Sequence, residues 1–168
     1  KLYMDNVHKR VEKLYQDIGL VNAPVFMQGF VDGETVRFYD PGLRLPGGEY
    51  ERMFETVCGK NPIIPLIEFA LTGAVSENSI NLTRQDVKLN GKIVGQVLPA
   101  VRHGKITRIE GMDEIKKHPA VISVFERFKI GDVIENTHNV NQRFCEIDIV
   151  CDSKNEMRSV VEWINSSL

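Results

Sequence analysis

At 168 residues, with 42% hydrophobic and 26% charged side chains, the chain is long enough to bury a core. Its formal net charge of −2 comes from interspersed acids and bases, which leaves no basic field for nucleic acid. The longest apolar runs, such as residues 63–70, are broken by Pro65 and Glu68 and fall far short of the ~20 residues of a membrane helix.

Residues 2–19 read as an amphipathic helix. Val7, Val11, Leu14 and Ile18 recur at i, i+4, i+7 and i+11, and Gly19 is placed to end the helix. The stretch from Pro24 to Val31 is β-prone, Asp32-Gly33 signals a tight turn, and Thr35 to Tyr39 reads as the returning strand. This hairpin delivers Asp40 at its far end, into a loop that runs to Gly48. A short helix is expected from Glu49 to Val57, stopped at Gly59. A second starts at Asn61-Pro62 and ends at Gly73. The second is too densely apolar for one stripe and is expected to be buried.

The character then changes. Residues 74–90 are polar and irregular, with a short helix expected near Thr83. Strands are expected over 92–101 and 105–109, joined at His103-Gly104, followed by a helix from Met112 to Lys117 that ends before Pro119. Residues 121–128 and 144–150 alternate as strands around a Gly131-Asp132 turn, and Ser153 with Glu156 has the capping-box spacing for a last amphipathic helix. Helices and largely hairpin-connected strands point to an α+β fold with antiparallel sheet. The change in composition suggests two regions, 1–74 and 75–168.

Cys58, Cys145 and Cys151 are odd in number and lack CxxC spacing, which suits reduced thiols in a cytoplasmic protein. His8, His103, His118 and His138 are widely separated and lack zinc-ligand spacing, so they read as surface histidines. No G-x-S-x-G or Walker-type loop occurs. The chain begins Lys1-Leu2-Tyr3 rather than with Met, which reads as the downstream part of a longer protein.

Chemistry concentrates between residues 28 and 48. Asp40 offers a carboxylate of the kind that binds Mg²⁺ together with nucleotide phosphates. Arg44 offers a bidentate fork for phosphate or carboxylate, and Gly47-Gly48 lets backbone N–H groups approach an anion. A plain salt bridge between Asp40 and Arg44 across the Pro-Gly turn explains the same residues. Folding at Asp32-Gly33 sets Gln28 near Arg37 and Asp40 near Val25 or Pro24, unless a bulge or a two-residue stagger intervenes.

The stretch from Phe26 to Gly48 resembles the C-terminal part of the ATP-grasp fold, most closely that of carbamoyl-phosphate-synthase large-chain-type carboxylate–amine ligases. The likeness rests on Gln28, on Asp40-Pro41-Gly42-Leu43-Arg44 a dozen residues later, and on Gly47-Gly48. The tail from Ile106 onward is similar to the segment that follows the catalytic stretch in several such enzymes. The resemblance implies that the chain is the C-terminal subdomain of an ATP- and Mg²⁺-dependent ligase, with flanking helices on an antiparallel sheet. Residues 1–74 then form a partial ATP-grasp subdomain carrying the hairpin, and 75–168 an α+β sheet region. It implies Asp40 and Gln28 as Mg²⁺ ligands and Arg44 as the group that steadies the transferred phosphoryl or acyl phosphate. Phe30 would lie under the adenine, and Gly47 and Gly48 beside the ATP phosphates. The complete enzyme would activate a carboxylate as an acyl phosphate for attack by an amine. Its nucleotide-gripping N-terminal portion lies upstream, and this chain by itself would be inactive. Stripped of that portion, the chain would expose apolar surface open to homodimer formation. Gln28 stands where the family has an acid and Gly42 where it has an Asn, which leaves room for a non-catalytic binding module. The helix after Arg44 and the tail also resemble a biotin-carboxylase-like half.

Overall fold

The computed structural model describes residues 2–48, 50–135 and 142–168, and the Ile80 side chain is outside that description. Glu49 and His138 lie outside the described residues. The chain divides into two compact units, Lys1–Tyr50 with Pro62–Asn81 and Glu51–Asn61 with Leu82–Leu168. It crosses between them after Tyr50, Asn61 and Asn81, where composition suggested one division near residue 74.

The first unit opens with a π-helical turn, Tyr3–Val7, which runs into α1 (His8–Asp17). Gly19 ends the helix as expected, its N–H donating to Gln16 O at 2.9 Å. The packed face is rotated from the aliphatic stripe read in the sequence. Tyr3, Val7, Val11 and Tyr15 are half-buried, whereas Leu14 and Ile18 are 54% and 67% exposed. The aromatic rings set this rotation, with Tyr3 meeting Phe38 edge-on at 6.4 Å.

The hairpin is β1 (Phe26–Asp32) and β2 (Thr35–Gly42). Pairing runs from Asp32 opposite Thr35 to Gly29 opposite Phe38. Tyr39 is then an extra residue, and pairing resumes with Gln28 opposite Asp40, Met27 opposite Pro41 and Phe26 opposite Gly42. A one-residue bulge thus intervenes, and Asp40 sits inside the strand rather than beyond its end. Gly29 allows the strands to close next to it, since a Cβ there would stand 2.9 Å from Arg37 O and 3.1 Å from Phe38 Cδ1.

The helix α2 (Tyr50–Cys58) carries the chain into the second unit, and α3 (Ile63–Thr72) belongs to the first. Pro62 and Gly73 bound α3 as expected, with Pro65 tolerated in the first turn. Its expected burial is not found: Ile64, Ile67 and Leu71 are 52%, 50% and 80% exposed, and no α3 residue is buried. Within its unit α3 is fastened to α4 (Glu77–Ile80) by polar groups. The Glu68 carboxylate accepts from Ser76 N–H at 3.1 Å and from Ser79 Oγ at 2.8 Å.

The second unit holds α5 (Arg84–Val87), β3 (Ile93–Val97), β4 (Gly104–Lys105), α6 (Met112–Lys117), β5 (Val121–Glu126), β6 (Val133–Ile134), β7 (Cys145–Cys151) and α7 (Lys154–Ser167). Thr83 caps α5 through a complete capping box with Asp86. Lys60, 2.7 Å from the Asp86 carboxylate, and the Thr83 N–H hold that carboxyl well below its usual range. The expected hairpin of 92–101 with 105–109 does not form. Pro99 cannot donate to a ladder, so β3 stops at Val97; it pairs with β7, and the two-residue β4 pairs with β6. The main sheet has the order β3-β7-β5, all antiparallel.

The central strand β7 has two faces. Cys145, Ile147, Ile149 and Cys151 join Ile115, Val160 and Ile164 of α6 and α7 in the core. Burial pushes the Cys145 thiol up to about 11, and all three cysteines are free. The opposite face carries buried Glu146 and Asp148, both satisfied. Asp148 accepts from Ser123 Oγ at 2.6 Å and Gln96 Nε2 at 3.0 Å, and Glu146 accepts from Arg127 Nε at 2.9 Å. Ser153 caps α7 by accepting from Glu156 N–H at 3.2 Å, while the Glu156 carboxylate accepts from Asp152 N–H, one residue before the strict capping-box position.

Gly111 (φ +72) starts α6 against the last turn of α7, where a Cβ would meet Ser167 O at 1.9 Å. Gly111→Ala is expected to lose roughly 2–4 kcal/mol in denaturant unfolding, from left-handed strain plus the clash. Gly29→Val is expected to cost about 1–3 kcal/mol by overpacking. It should also erase the main-chain NOEs between Gln28 and Asp40. Retention of those NOEs would show that the bulged pairing tolerates a side chain at position 29.

Candidate functional site

Directly opposed residues of an antiparallel pair share a face, so the bulge puts Gln28 and Asp40 on the same side of the hairpin. Asp40 is half-buried, and among the described residues nothing lies within hydrogen-bonding or ion-pair distance of its carboxylate. The salt bridge that would have explained Asp40 and Arg44 as a plain turn is not formed. The Arg44 guanidinium instead lies over the Phe26 ring at 4.7 Å, and its Nη1 donates to Leu45 O at 3.0 Å. Gly42 is paired with Phe26, and the Arg44 stem passes beside it at ordinary contact distance. Stacking on Phe26 restricts the guanidinium, and its remaining N–H groups stay exposed.

Phe30 and Tyr39 are stacked, ring centroids 4.8 Å apart and planes inclined by 25°. They are 67% and 57% exposed, an uncommon amount of aromatic surface to leave in water. Tyr39 Oη donates to Gln28 Oε1 at 3.1 Å, so the bulged residue ties the aromatic pair to the polar one. Gly47 has open space around its Cα, whereas Gly48 (φ +105) turns the chain against the Tyr50 ring. The hairpin thus gathers Gln28, Phe30 and Asp40, with Arg44 anchored to it through Phe26.

Tyr39 and Phe26 were not singled out from the sequence. The available signal was an aromatic directly before the acid and another at the start of the first strand, and neither discloses a bulge. The other hairpin face packs on α1 around a groove of about 620 Å³ lined by Tyr3, His8, Tyr15, Met27 and Phe38. Two of the histidines expected on the surface are half-buried: His8 beside Tyr3, and His118 against Trp163 with ring centroids 4.6 Å apart. Among the described residues no group of three or more His, Cys, Asp or Glu side chains could hold a metal ion. None of the described helices is long and apolar enough to cross a membrane.

No curated protein matches the sequence. Residues 96–168 match the family model of L-amino acid ligase C-terminal domain 2. Among solved structures, the crystal structure of L-amino acid ligase from Bacillus licheniformis superposes with a TM-score of 0.75 at 19% identity. The match covers 96% of this chain and 39% of that one, so the chain spans about 39% of the length of the ligase it resembles. The chain therefore has an α+β fold shared with part of that ligase.

Proposed function

We propose that this chain supplies the magnesium- and phosphate-binding hairpin of an ATP-grasp carboxylate–amine ligase. The observation that carries the reading is the bulge that sets Gln28 opposite an unpaired, half-buried Asp40, in a fold shared with such a ligase. A lone carboxylate suits Mg²⁺ that arrives already bound to nucleotide phosphates, because Mg²⁺ commonly takes one or two protein carboxylates there. That mode of binding needs no protein cage, and among the described residues no group of three or more His, Cys, Asp or Glu side chains forms one.

In this reading Asp40, with Gln28 across from it, would hold a magnesium–triphosphate complex. Such an ion, when bound, would supply charge neutralisation at the phosphoryl group being transferred. Arg44 steadies that group or the acyl phosphate it forms, from a position restrained by Phe26. Phe30 offers a flat face to the adenine, and the Gly47-Gly48 backbone approaches the phosphates. Positioning and charge compensation account for most of catalysis in such a site. The names of the matched family and structure support an amino acid as the activated acid, in preference to a carbamoyl-phosphate-synthase-like reaction. The nucleotide-gripping half would come from sequence outside this chain, in a cytoplasmic protein, and the free cysteines agree with that compartment. A second reading, a non-catalytic nucleotide-binding module, is favoured by the neutral Gln28 and by Gly42, which has no side chain to offer.

Two measurements test the proposal. In the complete protein, Asp40→Asn is expected to lower kcat/KM at least roughly 10²-fold, and Gln28→Ala about tenfold. Equal, mild effects would make the motif structural. The 168 residues alone are expected to bind Mg-ATP weakly by calorimetry and not to hydrolyse it. Robust hydrolysis would show that no further half is needed.

A further inference from the structure

Gln28 and Tyr39 together restrict what the first ligand position of the hairpin offers. The Tyr39 hydroxyl donates to Gln28 Oε1 at 3.1 Å, and the Gln28 Nε2 group has no partner among the described residues. The phenol is itself held: its ring stacks on Phe30 at 4.8 Å, and its backbone is fixed as the extra residue of the bulge. The Tyr39 bond takes one of the two lone pairs of Gln28 Oε1 and fixes the carboxamide plane, which leaves the N–H edge free to donate to an anion. Asp40 stands directly opposite on the same face. The pair therefore presents one full negative charge beside one neutral donor, where two acids would present two negative charges.

Resting on the function proposed above, we propose that Gln28 is a phosphate ligand rather than a metal ligand, that Tyr39 is the positioning residue that holds it so, and that the site takes one divalent cation per nucleoside triphosphate, on Asp40. With a single carboxylate, a second cation would have only phosphate oxygens and water for ligands. The N–H edge of Gln28 would instead occupy an oxygen that such a cation needs.

The test uses the complete protein, Mn²⁺ as an electron-paramagnetic-resonance probe and a non-hydrolysable ATP analogue, with binding as the readout. The wild type is expected to hold one Mn²⁺ per chain, and Gln28→Glu to hold two. Tyr39→Phe keeps the ring stack and is expected to leave the count at one while weakening analogue binding roughly three- to tenfold, the range of one neutral hydrogen bond. In a Gln28→Ala background the same change should have no further effect, because Tyr39 acts through Gln28. Two Mn²⁺ in the wild type, falling to one in Gln28→Ala, would overturn the inference and leave the ligase reading standing. Additive effects of the two substitutions would overturn the positioning role of Tyr39. No analogue-dependent Mn²⁺ binding at all would overturn both the inference and the function on which it rests.

Discussion

A single unpaired residue in a two-stranded ladder governs what the hairpin presents. Side chains alternate with a period of two, so one inserted residue exchanges the faces of everything beyond it. With Tyr39 taken out of register, Asp40 moves to the side of Gln28, and Met27, Val36 and Phe38 keep the side that packs on α1. A regular ladder would have set Gln28 against Tyr39 and turned the carboxylate toward the aromatic groove. The bulge therefore separates an apolar face that holds the unit together from a polar and aromatic face left in water. Gly29 is the companion of this device, since the strands close around it more tightly than any Cβ allows.

The second unit solves a related problem with a central strand of opposite character on its two sides. Isoleucines and thiols of β7 fill the core against α6 and α7, while Glu146 and Asp148 are buried on the other side. Burying two carboxylates is tolerable only with full hydrogen-bonding, and Ser123, Gln96 and Arg127 provide it. Arg127 draws on its neighbours, its guanidinium lying 5.6 Å from the Phe125 ring. The same logic recurs at Arg44 over Phe26, where an aromatic face restrains a cation whose donors remain available.

Local chemistry was legible in the sequence wherever a few adjacent residues decide the conformation. Gly19 and Gly73 end their helices, Asp32-Gly33 turns the hairpin, a short helix forms next to Thr83 and Ser153 caps α7. Met112 to Lys117 is helical as its spacing implied. The antiparallel α+β character followed from the strand patterns, although among the described residues only β1 and β2 form a true hairpin. Gln28, Asp40 and Arg44 stood out by residue type and spacing, and Phe30 through the resemblance. That they are gathered on one hairpin depends on a bulge that the pattern permitted but did not require.

Non-local choices were not legible. Nothing in residues 92–97 names β7 as their partner, and Pro99 removes the continuation that would have paired with 105–109. The helix α3 makes the point most sharply. Its composition correctly reports how much it would gain from burial, about 1.5–3 kcal/mol for each large aliphatic side chain fully covered. Ile64, Ile67 and Leu71 recur at three- and four-residue spacing along one side, so the stripe is real. Burial, however, needs a surface as well as a stripe. Within its own unit the hydroxyls of Ser76 and Ser79 and the Ser76 N–H are drawn to Glu68, and the Ala74 N–H donates to the Thr72 hydroxyl, so α3 is met there by polar groups. Hydrophobicity thus sets the free energy available to the helix, and the path of the chain decides whether that free energy is realised.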